Sequence, residues 1–191
     1  KKEAIEWSLE FLTSKEEGLG LLSNRLYVTV FKGEGGIPRD EDAIQIWKEN
    51  FKKHGIDAEV AGEDEIIKDN VRIIPLGKED NFWIAGQVGP CGGDTEMFYD
   101  VTENGLGDLT KEEYLKADSE QKVVEIWNDV FMQYLKKDGK IVGKFQFDQL
   151  DKLVMNSVGS LYTNYKPHKV KKGQFLRFNF HVYNKVVEML Y

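Results

Sequence analysis

Asp80-Asn81-Phe82-Trp83-Ile84-Ala85-Gly86-Gln87-Val88-Gly89-Pro90-Cys91-Gly92-Gly93-Asp94-Thr95-Glu96-Met97-Phe98-Tyr99-Asp100 is the stretch whose reading decides the fold. Its glycines are too dense for a regular helix, and they permit another group to approach the backbone closely. From Glu96 to Val101 the run becomes apolar and aromatic, as in a strand. The glycine spacing matches neither a phosphate-binding loop nor a dinucleotide fingerprint. Cys91 could act as a nucleophile, but no base lies nearby in sequence, so a small buried residue in a tight loop fits better. Trp83, set among glycines, offers either a flat wall for a pocket or a lid on the core.

Outward from this stretch, Val123–Leu135 is apolar on both faces and turns polar at Asn128, Asp129 and Gln133, which suits a central strand. A buried Asn needs partners for its amide, either neighbouring backbone or a polar ligand, and the residues alone leave both readings open. Upstream, residues 4–12 read as an amphipathic helix with Ala4, Ile5, Leu9, Phe11 and Leu12 on a broad apolar face. Leu26–Phe31 reads as a strand. Asp40 is the expected N-cap, and Gly55 the stop, of a helix carrying Ala43, Ile44, Trp47 and Phe51. Val71–Leu76 is a strand that Pro75 confines to an edge or an end. Thr110 and Glu113 have capping-box spacing, and Asp138-Gly139 is a hairpin turn. Residues 148–162 read as a helix. Phe178, Phe180 and Val182 alternate with Arg177, Asn179 and His181 as in a half-buried strand, which is expected to join the sheet, and a short helix follows. Together these elements give α+β, a mostly antiparallel sheet flanked by helices.

Composition narrows the functional classes. The chain has 191 residues, 41% hydrophobic and 12% aromatic, and a net charge of -7. That apolar content is enough for a real core. The charge argues against a general nucleic-acid coat. From Lys144 onward the balance reverses, with eight Lys and Arg against three Asp and Glu. Lys166, Lys169, Lys171 and Lys172, with His168 among them, form an exposed basic loop that either attracts phosphate or offsets nearby acids. Residues 1–143 are therefore read as one domain and 144–191 as a divergent basic tail. One cysteine excludes an internal disulfide and a multi-cysteine zinc site, and it fits a reducing cytoplasm. His54, His168 and His181 show no metal-ligand spacing and read as structural or surface residues. No apolar run approaches the ~20 residues of a membrane span, and no signal peptide is visible. The absence of an initiator Met points to upstream truncation.

Asp80-Asn81-Phe82-Trp83, Gly86, Gly89-Pro90-Cys91-Gly92 and Thr95–Asp100 together resemble the signature loop of alanyl-tRNA synthetases. Glu125-Ile126-Trp127-Asn128, then Val130-Phe131-Met132-Gln133, resembles the strand that follows in those enzymes. Leu26–Phe31 and the helix around Ala43, Ile46 and Trp47 occur in the same order, and Lys1–Ile5 is similar to the sequence just after the family's motif 2. The resemblance runs over roughly residues 1–140.

The resemblance implies a class II synthetase fold, here a central and incomplete part of the catalytic domain. It implies activation of alanine with ATP and Mg²⁺, then transfer to tRNA(Ala). By family position, Trp83, Asn128 and Val130 line the alanine pocket and should converge on one cavity. Motifs 1, 2 and 3 are not found, so the Asp that binds the alanine ammonium has no counterpart and the isolated chain is expected to be inactive. Activity in the chain alone would mean that Arg39, Arg72 or Arg177 has taken over a phosphate role. Asp94 stands where the family often has a second Cys. The chain is expected to be a piece of a gene, with two alternatives: a subunit completed by a partner chain, or a catalytically inactive binding or regulatory module.

Overall fold

A computed structural model describes residues 1–62 and 68–144. Two compact units are present, one of Lys1–Ile84 with Cys91–Gln133, the other beginning at Ala85–Pro90 and resuming at Tyr134.

In the first unit the elements are α1 (Lys2–Thr13), a short 3-10 turn (Ser23–Arg25), β1 (Leu26–Phe31), α2 (Glu41–Lys53), β2 (Glu59–Val60), β3 (Val71–Leu76), α3 (Lys78–Asn81), β4 (Phe82–Ile84), β5 (Gly89–Asp100), α4 (Lys111–Ser119) and β6 (Val123–Val130). Strand β1 is buried along its whole length because it lies between β3 and β5 and is covered on both faces. Its neighbour β3 is parallel, which the crossover through α2 permits, and β2 is parallel to β3. The β1/β5, β4/β5 and β5/β6 pairings are antiparallel. The expected α+β architecture is therefore present, with β2 and β3 as its parallel flank. Pro75 sits near the end of β3, beyond the two residues of β2 that pair there.

The alternation of β1 sorts the core. Val28 and Val30 face α1 and α2, joining Ile5, Leu9, Leu12, Ala43, Trp47, Phe51 and Met97. Tyr27 faces the other way, onto Val71, Ile74, Phe98, Tyr114, Ala117 and Val123. The cap of α2 is as the sequence implies, since the Asp40 carboxylate accepts from Ala43 N at 3.0 Å. Gly55, at φ 78°, follows the last turn. Thr110 and Glu113 close a complete capping box on α4.

Three expectations change. The glycine-rich stretch forms strand from Gly89, not only from Glu96. Cys91 is thus a buried strand residue and not part of a loop. Strand β6 is not central: among the described residues of this unit it pairs with β5 alone, and only Val123 of its eight residues is buried. Its two apolar faces do not mean burial on both sides. In the other unit, β7 (Tyr134–Lys137) and β8 (Lys140–Lys144) form the expected hairpin. Its turn residues are Asp138 at φ 50° and Gly139 at φ 74°. The helix at 148–162, the basic loop, the strand around Phe178 and the closing helix lie outside the described residues.

Candidate functional site

Pairing register decides which side chains of β5 and β6 share a face. Thr95 is opposite Asp129 and Met97 opposite Trp127, and these four turn toward the helices. There Ser8 Oγ donates to Asp129 Oδ2 at 2.8 Å, and Phe11 packs on Trp127 with ring centroids 5.6 Å apart. The intervening residues, Asp94 opposite Val130 and Glu96 opposite Asn128, turn to the opposite face. Trp83 is opposite Gly92, whose parity on β5 is that of Asp94 and Glu96. All three sequence-named residues, Trp83, Asn128 and Val130, therefore project from one face of the sheet.

Trp83 is fixed there by an unusual contact. The chain after β6 continues along β5: Phe131 N donates to Gly93 O at 3.0 Å and Gln133 N to Cys91 O at 3.1 Å. This segment and β4 thus flank the same residues of β5. Trp83 Nε1 reaches Phe131 O, at 3.1 Å, the carbonyl just after Val130. The group approaching Gly92 is that same carbonyl, which would lie 1.9 Å from a Cβ at this position. The close approach that the glycines permit is made here by the protein's own backbone.

Asn128, the polar residue in an apolar strand, donates from Nδ2 to Glu96 Oε1 at 3.2 Å. Its partner is a carboxylate across the strand, which neither reading of its amide anticipates. Asp94 is buried and accepts from Asn81 Nδ2 at 3.0 Å; the same nitrogen donates to Thr29 Oγ1 at 2.8 Å. Burial pushes the Asp94 carboxyl up to about 6. Glu96 is pushed up to about 8, first by burial and then by Glu125, Asp94, Asp80 and Asp118. The charges that act most strongly on Glu96 are negative. Sequence reading did not identify this carboxylate pair, with Asn81 and Thr29 behind it, as a unit. Its signal was available: two acids spaced i, i+2 in a strand that is otherwise apolar or small until Asp100 ends it.

The sign of the resulting pH effect follows from the raised value. Below about 4.5 Glu96 is neutral folded and unfolded, and contributes nothing differential. As pH rises toward about 8 the unfolded chain ionises freely while the folded site resists, so stability falls. Glu96→Gln should therefore stabilise the protein at about pH 8.5 by about 1–2 kcal/mol after its partial exposure is discounted, and change little at about pH 5. Urea melts at both pH values check this; an equal effect at both would refute the assigned shift.

Among the described residues no group of three or more His, Cys, Asp or Glu side chains could hold a metal ion, and no helix is long and apolar enough to cross a membrane. Of the three arginines named as substitutes should the chain prove active alone, Arg39 and Arg72 are among the described residues. Arg39 pairs with Glu41 at the start of α2, and Arg72 is buried on β3 against Asp108. Arg177 lies outside the described residues.

The family model for tRNA synthetases class II (A) matches residues 1–152. The alanine–tRNA ligase of Treponema denticola is 42% identical over 137 residues, covering 71% of this chain and 19% of that protein. The enzyme of Myxococcus xanthus is 38% identical over 148 residues, covering 74% of this chain and 14% of that protein. The cytoplasmic alanine–tRNA ligase of Caenorhabditis elegans is 36% identical over 153 residues, covering 79% and 13%. The chain thus spans less than a fifth of the length of these relatives.

Proposed function

This chain belongs to the class II tRNA synthetases, and from that premise we propose that it supplies the amino-acid side of an alanine-activating site. In the reaction proposed for the intact protein, an alanine carboxylate oxygen attacks the α-phosphorus of ATP and pyrophosphate leaves. A tRNA(Ala) hydroxyl then takes the alanyl group and AMP leaves. The observation that carries the reading is the shared face of Trp83, Asn128 and Val130, with the Trp83 indole tied to Phe131 O. A pocket walled by Trp and Val suits a methyl group and excludes larger side chains by overpacking. It rejects glycine and serine poorly, because such small differences bring only ~1–3 kcal/mol.

The Mg²⁺ that accompanies ATP needs only one or two protein carboxylates beside the nucleotide's own phosphates and waters. Phosphoryl chemistry needs positive groups around the departing pyrophosphate. At this face the charges that act most strongly on Glu96 are negative. The 191-residue chain alone is therefore expected to give little alanine-dependent ATP–pyrophosphate exchange. Adding a polypeptide with the family's motifs 1 and 2 tests the alternatives: recovery supports a subunit completed in trans, whereas continued silence supports a binding module. In a recovered enzyme, Trp83→Ala should lower kcat/KM for alanine at least about 100-fold, from lost positioning. Full activity in that variant would refute the pocket.

A further inference from the structure

On the amino-acid face Glu96 and Asn128 are cross-strand neighbours, and Asn128 Nδ2 donates to Glu96 Oε1 at 3.2 Å. An amide has a donor end and an acceptor end, which a half-turn of the side chain interchanges. A carboxylate only accepts, so an ionised Glu96 fixes that turn: the NH2 group faces Glu96 and Oδ1 lies on the other side. We infer that Glu96 is a positioning residue that holds the Asn128 amide with Oδ1 toward the substrate, where it accepts from the ammonium group of the amino acid. The inference rests on the alanine-binding reading of this face and adds the direction in which the amino acid lies.

Access to the acceptor is the first reason. Asn128 is exposed, and among the described residues its Oδ1 accepts no hydrogen bond. It is presented on the face that carries Trp83 and Val130. Glu96 is the less exposed partner, and its backbone is held in the sheet, with Glu96 N donating to Thr29 Oγ1 at 3.3 Å. The fixed member of the pair therefore orients the free one. The field is the second reason. Asp94 on β5, Glu125 on β6, Asp80 on α3 and Asp118 on α4 all act on Glu96. Such surroundings attract an ammonium group and repel a carboxylate. Alanine carries one of each, so it lies with its ammonium at Asn128 and its carboxylate pointing away from these acids.

The orientation is coupled to a proton. Burial first, and these acids after it, push the Glu96 carboxyl up to about 8. The nearby Tyr114 hydroxyl on α4 is itself raised, mainly by burial, and stays neutral over this range. A protonated Glu96 can donate its O–H to Oδ1, which lets the amide turn its NH2 group toward the substrate. An ammonium group favours the ionised form, so its binding releases the proton. Affinity for alanine therefore rises with pH between about 6 and 8, by up to about 10-fold per pH unit, and then levels off.

Nuclear magnetic resonance of the isotope-labelled 191-residue chain tests this, with L-alanine and with propionate, which keeps the methyl and carboxylate groups but lacks the ammonium. Without ligand, the Asn128 side-chain amide should titrate with a midpoint of about 8. Glu125→Gln, which removes a neighbouring acid and not the partner of Asn128, should lower that midpoint and keep the response. L-alanine should shift both the Trp83 indole N–H and the Asn128 amide, and propionate neither. Glu96→Leu should weaken L-alanine about 10-fold or more and abolish the pH dependence. Combining Glu96→Gln with Asn128→Asp restores the hydrogen bond with donor and acceptor exchanged, and should recover binding without that pH dependence. An Asn128 amide that does not titrate, or equal L-alanine affinity in Glu96→Leu with Trp83 still responding, would overturn the inference and leave the alanine site standing. Silence of both Trp83 and Asn128 toward L-alanine would overturn the two together.

Discussion

Gly92→Ala is expected to lower the stability of the protein by about 3 kcal/mol or more, because the added methyl group meets backbone rather than side chain. The ideal Cβ would lie 1.9 Å from Phe131 O and 3.0 Å from Gln133 N. Both atoms belong to the segment paired with Cys91–Gly93, so neither can retreat without breaking the Phe131 N–Gly93 O and Gln133 N–Cys91 O bonds. The Trp83 indole depends on the same carbonyl, so its fluorescence should change with the fold. At about 2–4 °C per kcal/mol, the melting temperature should drop by about 6–12 °C. Gly143→Ala is the control, since nothing lies within 4 Å of a Cβ there and its φ is ordinary. Equal melting temperatures for the two variants would refute the close approach.

Trp47 should show the other large effect, split between volume and hydrogen bonding. It is fully buried in the helix-facing core, and its Nε1 donates to Thr95 Oγ1 at 2.8 Å. Thr95 Oγ1 in turn donates to Thr29 O at 2.6 Å, so the indole is the first member of a relay from α2 through β5 to β1. Trp47→Ala removes the whole ring and should cost about 3–5 kcal/mol. Trp47→Phe keeps most of the volume but leaves the buried relay without its outer donor, and should cost about 1–3 kcal/mol. Chemical denaturation of the three proteins measures both terms. If Trp47→Phe proved as stable as the parent chain, the relay would be energetically idle.

Elements whose signals are local were legible in the sequence. The Asp40 cap, the Thr110–Glu113 box, the Asp138-Gly139 turn and the strand Leu26–Phe31 each depend on residues within a few positions of one another. The family was legible for a different reason: several motifs in order leave little freedom for coincidence. The role of β6 was not legible. Apolar residues on both faces of Val123–Val130 suggest a central strand, yet only tertiary pairing decides how many neighbours it has. Likewise, glycine density announced a close approach at Gly92 without saying that the partner is Phe131 O.

The sequence by itself determined the types of α1, β1, α2, β3, α4 and the β7–β8 hairpin, the α+β class and the class II synthetase family, because period, caps and turn chemistry act over short distances, while the strand at Gly89–Gly93 needed its tertiary partners. Tertiary structure alone decided that Trp83, Asn128 and Val130 share a face with Asp94 and Glu96, since a strand's register fixes its parity against neighbours far away in sequence. It alone joined Asn128 to Glu96, far apart along the chain, in one hydrogen bond. It also set the protonation of Glu96, because burial and the approach of Glu125 and Asp80 are properties of space and not of spacing along the chain.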